Sequence, residues 1–434
     1  MLKTRYESLD EQSYFEVLPN GLSVYLLPKP GYAKTYGMFS TRYGSIDNHF
    51  NVTGQPSVKV VDGIAHFLEH KLFEEPEGDI FMKFAAQGAS ANAFTSHTRT
   101  SYLFSATGQV EENLTTLIDF VQRPYLTDEN VAKEKGIIEQ EIRMYEDQAF
   151  WRAYRGLLEN LYHRHPVRID IAGTIESIYQ IDVAALMTCY KTFYHPSNMV
   201  LVVVGDFDPE ALMQLVRENQ AKKTFPPQLP IERLFETEPA TIARPRSEIA
   251  LAIAKPLCVI GFKEREVGLT GRELIRRDLT TRILMDTVFG KSSELYQELD
   301  DAGLIDHTYG YDYEGSPAYS FAYVGGETEA PEQLISRLRD GVERVKRNGF
   351  SEQAFNRART RKIGEFIRVF NSPEHLSYEF TQYLFQDADL YEVPAIMEGI
   401  TAGLGMERLH ELFDPAVMAV SLVTPSAAKE PAAA

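Results

Sequence analysis

The sequence contains very little cysteine and no long hydrophobic run. Its two cysteines among 434 residues, Cys189 and Cys258, stand in separate apolar stretches, which excludes a disulfide-rich secreted domain and indicates buried thiols. No apolar stretch approaches the roughly 20 residues that a membrane-spanning helix needs. The first residues contain acidic side chains and no apolar segment of signal-peptide length. These absences predict a soluble, cytoplasmic protein.

Positive charge is also scarce. The chain has 44 Lys and Arg residues against 62 Asp and Glu residues, a net charge of −18. This balance argues against nucleic acid or an anionic membrane as the partner. An acidic surface that keeps the protein soluble is the favoured interpretation, and a preference for basic substrates is the alternative. Hydrophobic residues make up 44% of the chain, which is ample for the cores of two domains.

The domain organisation is indicated by a proline-rich stretch over residues 222–246. It contains five prolines and shows little hydrophobic periodicity, so it is the candidate linker. The order of predicted strands and helices starts again after it. The segment LTDENVAKEKGIIEQE in the first half has the weak counterpart FSEQAFNRARTRKIGE in the second. We predict two similar α+β domains, residues 1–226 and 227–434.

The most informative motif is His66-Phe67-Leu68-Glu69-His70 within a predicted helix over 60–73. Two histidines four residues apart lie about 40° apart around a helix and can bind one metal ion. Glu69 lies about 60° from His66 and about 100° from His70, the reverse of the H-E-x-x-H order of many zinc peptidases. The helix can therefore offer zinc two imidazoles beside a carboxylate. A chance match is expected roughly a few times in a hundred such chains, so a third ligand is needed.

A second predicted helix, over 127–145, supplies candidates for that ligand. Glu134 and Glu141 are seven residues apart and share one face. Ile138 and Ile142 make another face apolar, which predicts packing into the domain. An inward carboxylate needs a partner, and a metal ion is one. For any single glutamate of so acidic a helix, a solvated position is an equally good interpretation.

Several stretches together resemble the pitrilysin/insulinase family of inverted-motif zinc peptidases, namely NGLSVYLL, GIAHFLEHKLF, GASANAFTSHTRTSYLF, EKGIIEQE and FYHPSNMVLVVVGD. The resemblance implies one Zn²⁺ ion held by His66, His70 and Glu141, with Glu134 as a supporting acid and Glu69 as general base. It also implies that each domain is a largely antiparallel sheet packed with helices, and that the second lacks the metal motif.

The same resemblance places Asn92 and Ala93 on a substrate-facing strand. The small residues 88–91 would let a peptide backbone approach and pair. For Asn92 alone, a structural role in a turn or ladder is as favoured as substrate contact. His97 lies in the next turn, and we expect it to be exposed and without a metal role. The predicted function is a zinc metalloendopeptidase for peptides or unfolded segments, with Glu69 accepting the proton of a zinc-activated water.

One departure from the family pattern concerns the second half. Many active members carry an Arg and a Tyr seven residues apart there, and this chain has Asp300 and His307 at the matching positions, with Tyr309 and Tyr311 nearby. Chains of the most similar bacterial subgroup go with a zinc-less sister chain, so a heterodimer that supplies the missing pair is expected, and a homodimer is the alternative. That subgroup is associated with modification of elongation factor P. A dedicated maturation factor, or a peptide-binding or assembly subunit with limited activity, is therefore the alternative function.

Overall fold

The computed structural model of the chain describes residues 1–76 and 78–426. Its strands, in chain order, are β1 (Leu2–Tyr6), β2 (Glu11–Val17), β3 (Ser23–Pro28), β4 (Thr35–Thr41), β5 (His49–Val52), β6 (Val58–Lys59), β7 (Glu74–Glu75), β8 (Gly78–Asp79), β9 (Ala89–Thr95), β10 (Thr100–Ala106), β11 (Met199–Gly205), β12 (Ile231–Arg233), β13 (Arg246–Leu251), β14 (Leu257–Lys263), β15 (Gly310–Gly315), β16 (Ser320–Glu327) and β17 (Met418–Pro425).

The helices, in the same order, are α1 (Ile64–Leu72), α2 (Ile80–Ala86), α3 (Val110–Val121), α4 (Asp128–Glu146), α5 (Ala149–Leu161), α6 (Ile175–Ile178), α7 (Val183–Phe193), α8 (Pro209–Ala221), α9 (Gly271–Phe289), α10 (Glu294–Asp301), α11 (Pro331–Asn348), α12 (Glu352–Ile367), α13 (Pro373–Phe385), α14 (Val393–Glu398) and α15 (Ala402–Leu412). Within the described residues, none of these helices has the length and apolar character required to cross a membrane.

The chain forms two compact units. Among the described residues, unit 1 comprises 1–76, 78–142, 170–235 and 368–385, and unit 2 comprises 143–169, 236–367 and 386–426. These units differ from the predicted division at residue 226, because each takes one segment from the other half of the chain. The helix α5 packs on β14 and β17 of unit 2, and α13 packs on β4 and β11 of unit 1. The domain boundary at residue 226 stays a prediction. The bounds of the compact units depend on which helices cover each sheet.

The main sheet of unit 1 has the order β1-β2-β3-β11-β4-β10-β9, and only the β3–β11 pair is parallel. The turn Pro19-Asn20-Gly21 joins β2 to β3, and Gly21 has a φ of 90°, which favours glycine. All residues of β4 and β11 are buried, as expected for central strands. β9 forms one edge of this sheet.

Unit 2 contains a sheet with the order β13-β17-β14-β16-β15, in which only β13–β17 is parallel. The segment β3-β11-β4-β10-β9 of unit 1 has the same sequence of pairings, with one parallel pair followed by antiparallel ones. The prediction of two similar α+β halves with largely antiparallel sheets is therefore confirmed.

Candidate metal centre

The motif helix α1 begins at a position that only glycine fits well. Gly63 precedes the helix with a φ of 85°, and a Cβ there would lie 2.3 Å from the carbonyl oxygen of Ala172. From this start, Phe67, Leu68 and Leu72 face the core of unit 1. The helical period then turns the two histidines of the motif away from the core.

The structure brings His66 and His70 together with Glu141 of α4. The Nε2 atom of His66 lies 3.6 Å from Oε1 of Glu141, and the Nε2 atom of His70 lies 3.4 Å from Oε2. One ligand atom from each residue lies within 4.8 Å of the others. Among the described residues this is the only such group of three or more potential metal-ligating side chains. The spacing of seven on α4 places Glu134 on the same side.

Glu134 contacts the opposite nitrogen of the His70 ring. Its Oε1 atom lies 3.0 Å from His70 Nδ1, and its Oε2 accepts a hydrogen bond of 3.3 Å from the fully buried Lys71. Burial raises the pKa of Glu134, but the hydrogen bond from His70 and the charges of His70 and Lys71 outweigh it, so the pKa lies below its usual range. With Nδ1–H donating to Glu134, Nε2 faces Glu141, and once the ring loses its second proton Nε2 can bind a metal ion, as in metal-bound imidazoles.

The donor set fits zinc. Burial, with a smaller contribution from His70, lowers the pKa of His66 to about 3, so this imidazole is neutral, which is the form that binds metal. Two imidazole nitrogens and one carboxylate are the ligand types of catalytic zinc sites, in which a fourth position stays open. His66, His70 and Glu141 would hold the ion.

Glu69 lies beside this group on α1 and is 7% exposed. Its Oε2 atom accepts a hydrogen bond of 2.6 Å from Thr95 Oγ1. Burial raises the pKa of Glu69 to about 7, against the opposing effect of the Thr95 hydrogen bond. A carboxyl group with a pKa near neutrality can both accept and release a proton, as a general base and acid must.

A cavity of about 770 Å³ in unit 1 opens next to Glu69 and His70. Asn92 and Ala93 of β9 line it, as does the exposed ring of Phe81. The Asn92 side chain accepts a hydrogen bond of 2.9 Å from the Ala93 backbone N–H, so it stabilises its own strand as well as lining the cavity. Within the described residues β9 pairs only with β10, which leaves its outer edge available for another backbone.

Sequence reasoning placed one residue wrongly and missed two others. His97 was expected to be exposed, but it is 7% exposed and its Nδ1 atom lies 3.0 Å from Ser45 Oγ, because the turn packs against the segment around Gly44. Thr95 and Lys71 were not singled out. The alternation of β9 was the available signal for Thr95, since Ala93 and Thr95 share a face. Nothing in the sequence marked Lys71 as buried.

When Phe289 of α9 is aligned with Phe73, Arg282 and Asp286 fall at the positions of His66 and His70. Asp286 forms an ion pair with Arg361 and accepts a 2.6 Å hydrogen bond from the Tyr311 hydroxyl. Arg282 pairs with Asp278 at 2.8 Å. The positions that hold the motif histidines in unit 1 are therefore occupied in unit 2 by residues that form ion pairs.

The residues at the positions of the family's Arg and Tyr are exposed in unit 2. Asp300 lies on the surface of α10, and the side chain of His307 is 91% exposed. Neither neighbouring tyrosine presents a donor at the surface, because the Tyr311 hydroxyl is bonded to Asp286 and the Tyr309 hydroxyl is buried, without a hydrogen-bond partner among the described residues. Neither tyrosine takes the place of the missing pair in this conformation.

Comparison with known proteins gives the family. The model described as "Insulinase (Peptidase family M16)" matches residues 58–175, and that described as "Peptidase M16 inactive domain" matches residues 180–362. The zinc protease YmfH of Bacillus subtilis is 49% identical over 397 residues, which cover 91% of this chain and 92% of YmfH. The chain belongs to the insulinase family, peptidase family M16. The resemblance to the pitrilysin/insulinase family that the sequence motifs indicated is confirmed.

Solved structures agree with the insulinase-family assignment. An M16-like peptidase from Alicyclobacillus acidocaldarius is 43% identical, with a TM-score of 0.93 over 96% of this chain and 99% of that one. A protease from Helicobacter pylori shares the fold at 18% identity, with a TM-score of 0.80 over 96% of this chain and all of that one. Relatives named as zinc proteases support a peptidase role and zinc as the metal.

Proposed function

We propose that this insulinase-family chain is a zinc metalloendopeptidase that hydrolyses peptides or unfolded segments. His66, His70 and Glu141 hold the ion, and Glu69 is the general base. The observation that carries the proposal is the convergence of two imidazole Nε2 atoms and one carboxylate beside a buried carboxyl group whose pKa is about 7. A purely structural zinc site would have no use for such a carboxyl group, which speaks against the assembly-subunit alternative.

In the proposed hydrolysis, Glu69 transfers the proton, and Glu134 and Lys71 keep the metal ligand His70 in place. Bound zinc would lower the pKa of a water molecule and polarise the scissile carbonyl. Glu69 accepts the proton of the attacking water as the C–O bond forms, then delivers it to the amine nitrogen as the C–N bond breaks. Glu134 keeps the His70 ring oriented throughout, and Lys71 keeps Glu134 ionised.

The edge strand β9 is the proposed substrate strand. An extended peptide that pairs with its free edge would pass the cavity beside Glu69, with backbone hydrogen bonds supplying affinity that depends little on sequence. Asn92 and Ala93 would lie next to that peptide. We propose a cytoplasmic location, which the two free, buried cysteines favour over an oxidising compartment.

We further propose that the active form includes a zinc-less homologous chain. The exposed Asp300 and His307 supply neither the cation nor the phenol that the family pattern places there. A sister chain that carries the Arg and the Tyr would supply them, and self-association is the alternative arrangement. If the chain is a dedicated maturation factor, its substrate would be one protein partner, and the modification of elongation factor P is the candidate pathway.

The variant Glu69→Gln tests the proposed peptidase. Because an amide cannot accept the proton, hydrolysis of a mixed peptide pool should fall by at least about 100-fold, while zinc content stays near one ion per chain. Glu112→Gln, an exposed change on α3, is the matched control and should behave as wild type. Each assay is run with the chain alone and with a zinc-less homologue present. Near-wild-type hydrolysis by Glu69→Gln would mean that Glu69 is not the base.

A further inference from the structure

Thr95, the last residue of β9, contacts the proposed base directly. Its Oγ1 atom lies 2.6 Å from Glu69 Oε2. Among the described residues, no other hydrogen bond to this carboxyl group is present. The strand on which substrate pairing is proposed is thus also the strand that holds the base.

The hydrogen-bond pattern fixes which way the Thr95 proton points. Thr100, its register partner on β10, donates its own hydroxyl to the Tyr43 carbonyl oxygen at 2.9 Å. Its Oγ1 atom is 3.3 Å from Thr95 Oγ1, and its single proton is already engaged. The Thr95 proton is therefore available to Glu69, and a carboxylate oxygen is the stronger acceptor of the two.

The turn after Thr95 is held firmly within unit 1. The Ser45 backbone N–H donates to the Ser96 carbonyl at 3.0 Å. Arg99, which is 3% exposed, donates to the Tyr378 carbonyl at 3.1 Å and stacks on the Tyr378 ring at 4.0 Å. Because both ends of the turn are tied down, the Thr95 hydroxyl is a fixed point and Glu69 adapts to it.

We propose that Thr95 is a positioning residue for the reaction, holding Oε2 of Glu69 so that Oε1 faces the attacking water. The inference rests on the proposed function, in which Glu69 is the general base. The proton moves from water to Glu69 and then to the leaving amine, and Thr95 keeps its own proton throughout. A carboxylate that can rotate freely lowers the fraction of correctly aligned complexes without weakening peptide binding. The turnover number should therefore change, and KM should not.

The isosteric variant Thr95→Val removes the donor and keeps the shape. A lost hydrogen bond to a charged group predicts a fall in kcat of roughly 10- to 100-fold, with KM changed by less than about twofold and zinc content unchanged. Thr95→Ser restores the hydroxyl and should return kcat to within about threefold of wild type. Thr188→Val on α7, whose hydroxyl bonds to Ala184, is the control and should leave kcat unchanged.

A double variant separates this role from a structural one. If Thr95 acts through Glu69, adding Thr95→Val to Glu69→Gln should lower kcat no further. A further tenfold loss in the double variant, or a Thr95→Val chain with wild-type kcat, would overturn the proposal. If Val prevents folding, Thr95→Ala compared with Thr95→Ser provides the same comparison.

Crystal structures supply a readout that does not depend on activity. In wild type the Glu69 carboxylate should occupy one position on Thr95, and in Thr95→Val it should occupy several. A single unchanged position in the variant would contradict the inference. If the wild-type chain hydrolyses no peptide in any arrangement, the proposed function fails, and these structures still decide whether Thr95 fixes Glu69.

Discussion

Glu141 is the proposed ligand that lies farthest along the chain from the motif helix, and the fit of the site depends on it. Changing Glu141→Gln removes the anionic donor between the two imidazoles. Because neutral amides are poor zinc ligands, zinc affinity should fall by at least about 100-fold, as measured by competition with a chelator. Wild type should hold about one zinc per chain.

The control for this prediction is Glu139→Gln on the same helix, whose carboxylate bonds to the Tyr179 hydroxyl. It should bind zinc as wild type does. A double variant, His66→Ala with His70→Ala, should lose zinc altogether, and retention of near-stoichiometric zinc there would contradict the assignment.

At the residue scale, spacing within helices carried most of what could be predicted. The four-residue interval predicted that His66 and His70 share a face of α1. The seven-residue interval predicted that the two glutamates share a face of α4. The pairing of α1 with α4 came from the family resemblance, since no local pattern reports which helices become neighbours. Lys71 shows the limit. A lysine is ordinarily exposed, but the buried ammonium of Lys71 contacts both Glu74, three residues on, and Glu134, 63 positions away.

At the element scale, Glu238 stabilises the segment that follows α5. Its carboxylate accepts hydrogen bonds of 2.8 Å from the backbone N–H groups of His163, Arg164 and His165, and of 2.5 Å from Lys263. Burial would raise the pKa of Glu238, but these donors outweigh it and lower the pKa to about 2 from an ordinary value of 4.5. The ionised form is thus bound more tightly in the folded state.

A folded pKa below the unfolded one means that this stabilisation is present above about pH 4.5 and is lost as the pH falls toward 2. Glu238→Gln should therefore lower the free energy of unfolding by about 1–3 kcal/mol near neutral pH. It should also flatten the pH dependence between roughly pH 5 and 2. Urea unfolding at several pH values measures both. The exposed neighbour Glu236→Gln is the control, and an equal effect there would contradict this role for Glu238.

The two helices that carry the site, predicted over 60–73 and 127–145, are observed at Ile64–Leu72 and Asp128–Glu146, because hydrophobic periodicity is a local signal. The helices α5 and α13 were harder. Ala153, Leu157 and Leu161 give α5 a buried face, but an amphipathic face does not say which sheet it covers. Which sheet a helix covers depends on how well the two surfaces pack. Gly261 of β14, for example, has no side chain and so allows Leu157 of α5 to approach. The exchange of segments between units therefore lay beyond sequence reasoning.

At the scale of the whole molecule, the missing Arg and Tyr predict dependence on a partner. We expect the isolated chain to hydrolyse peptides weakly, because losing one donor to the developing oxyanion typically lowers the rate by roughly 10²–10³. Adding a zinc-less homologue should restore the rate, and a homologue whose matching Arg is changed to Ala should not. The measurement is the rate of peptide hydrolysis on mixing. Full activity of the chain alone, unchanged by mixing, would exclude the heterodimer.

The late position of α13 in the chain has a consequence for how the protein folds during synthesis. The sheet face formed by Tyr36, Met38 and Leu103 belongs to unit 1, yet the helix packed near it, α13, begins only at residue 373. A ribosome that adds about 5–20 residues per second needs roughly ten seconds or more to go from β11 to that helix. During this time the nascent first half carries an uncovered apolar face. We therefore expect a chain that stops before residue 368 to keep that face exposed and to be recognised by chaperones and proteases, even though every proposed metal ligand has already been synthesised.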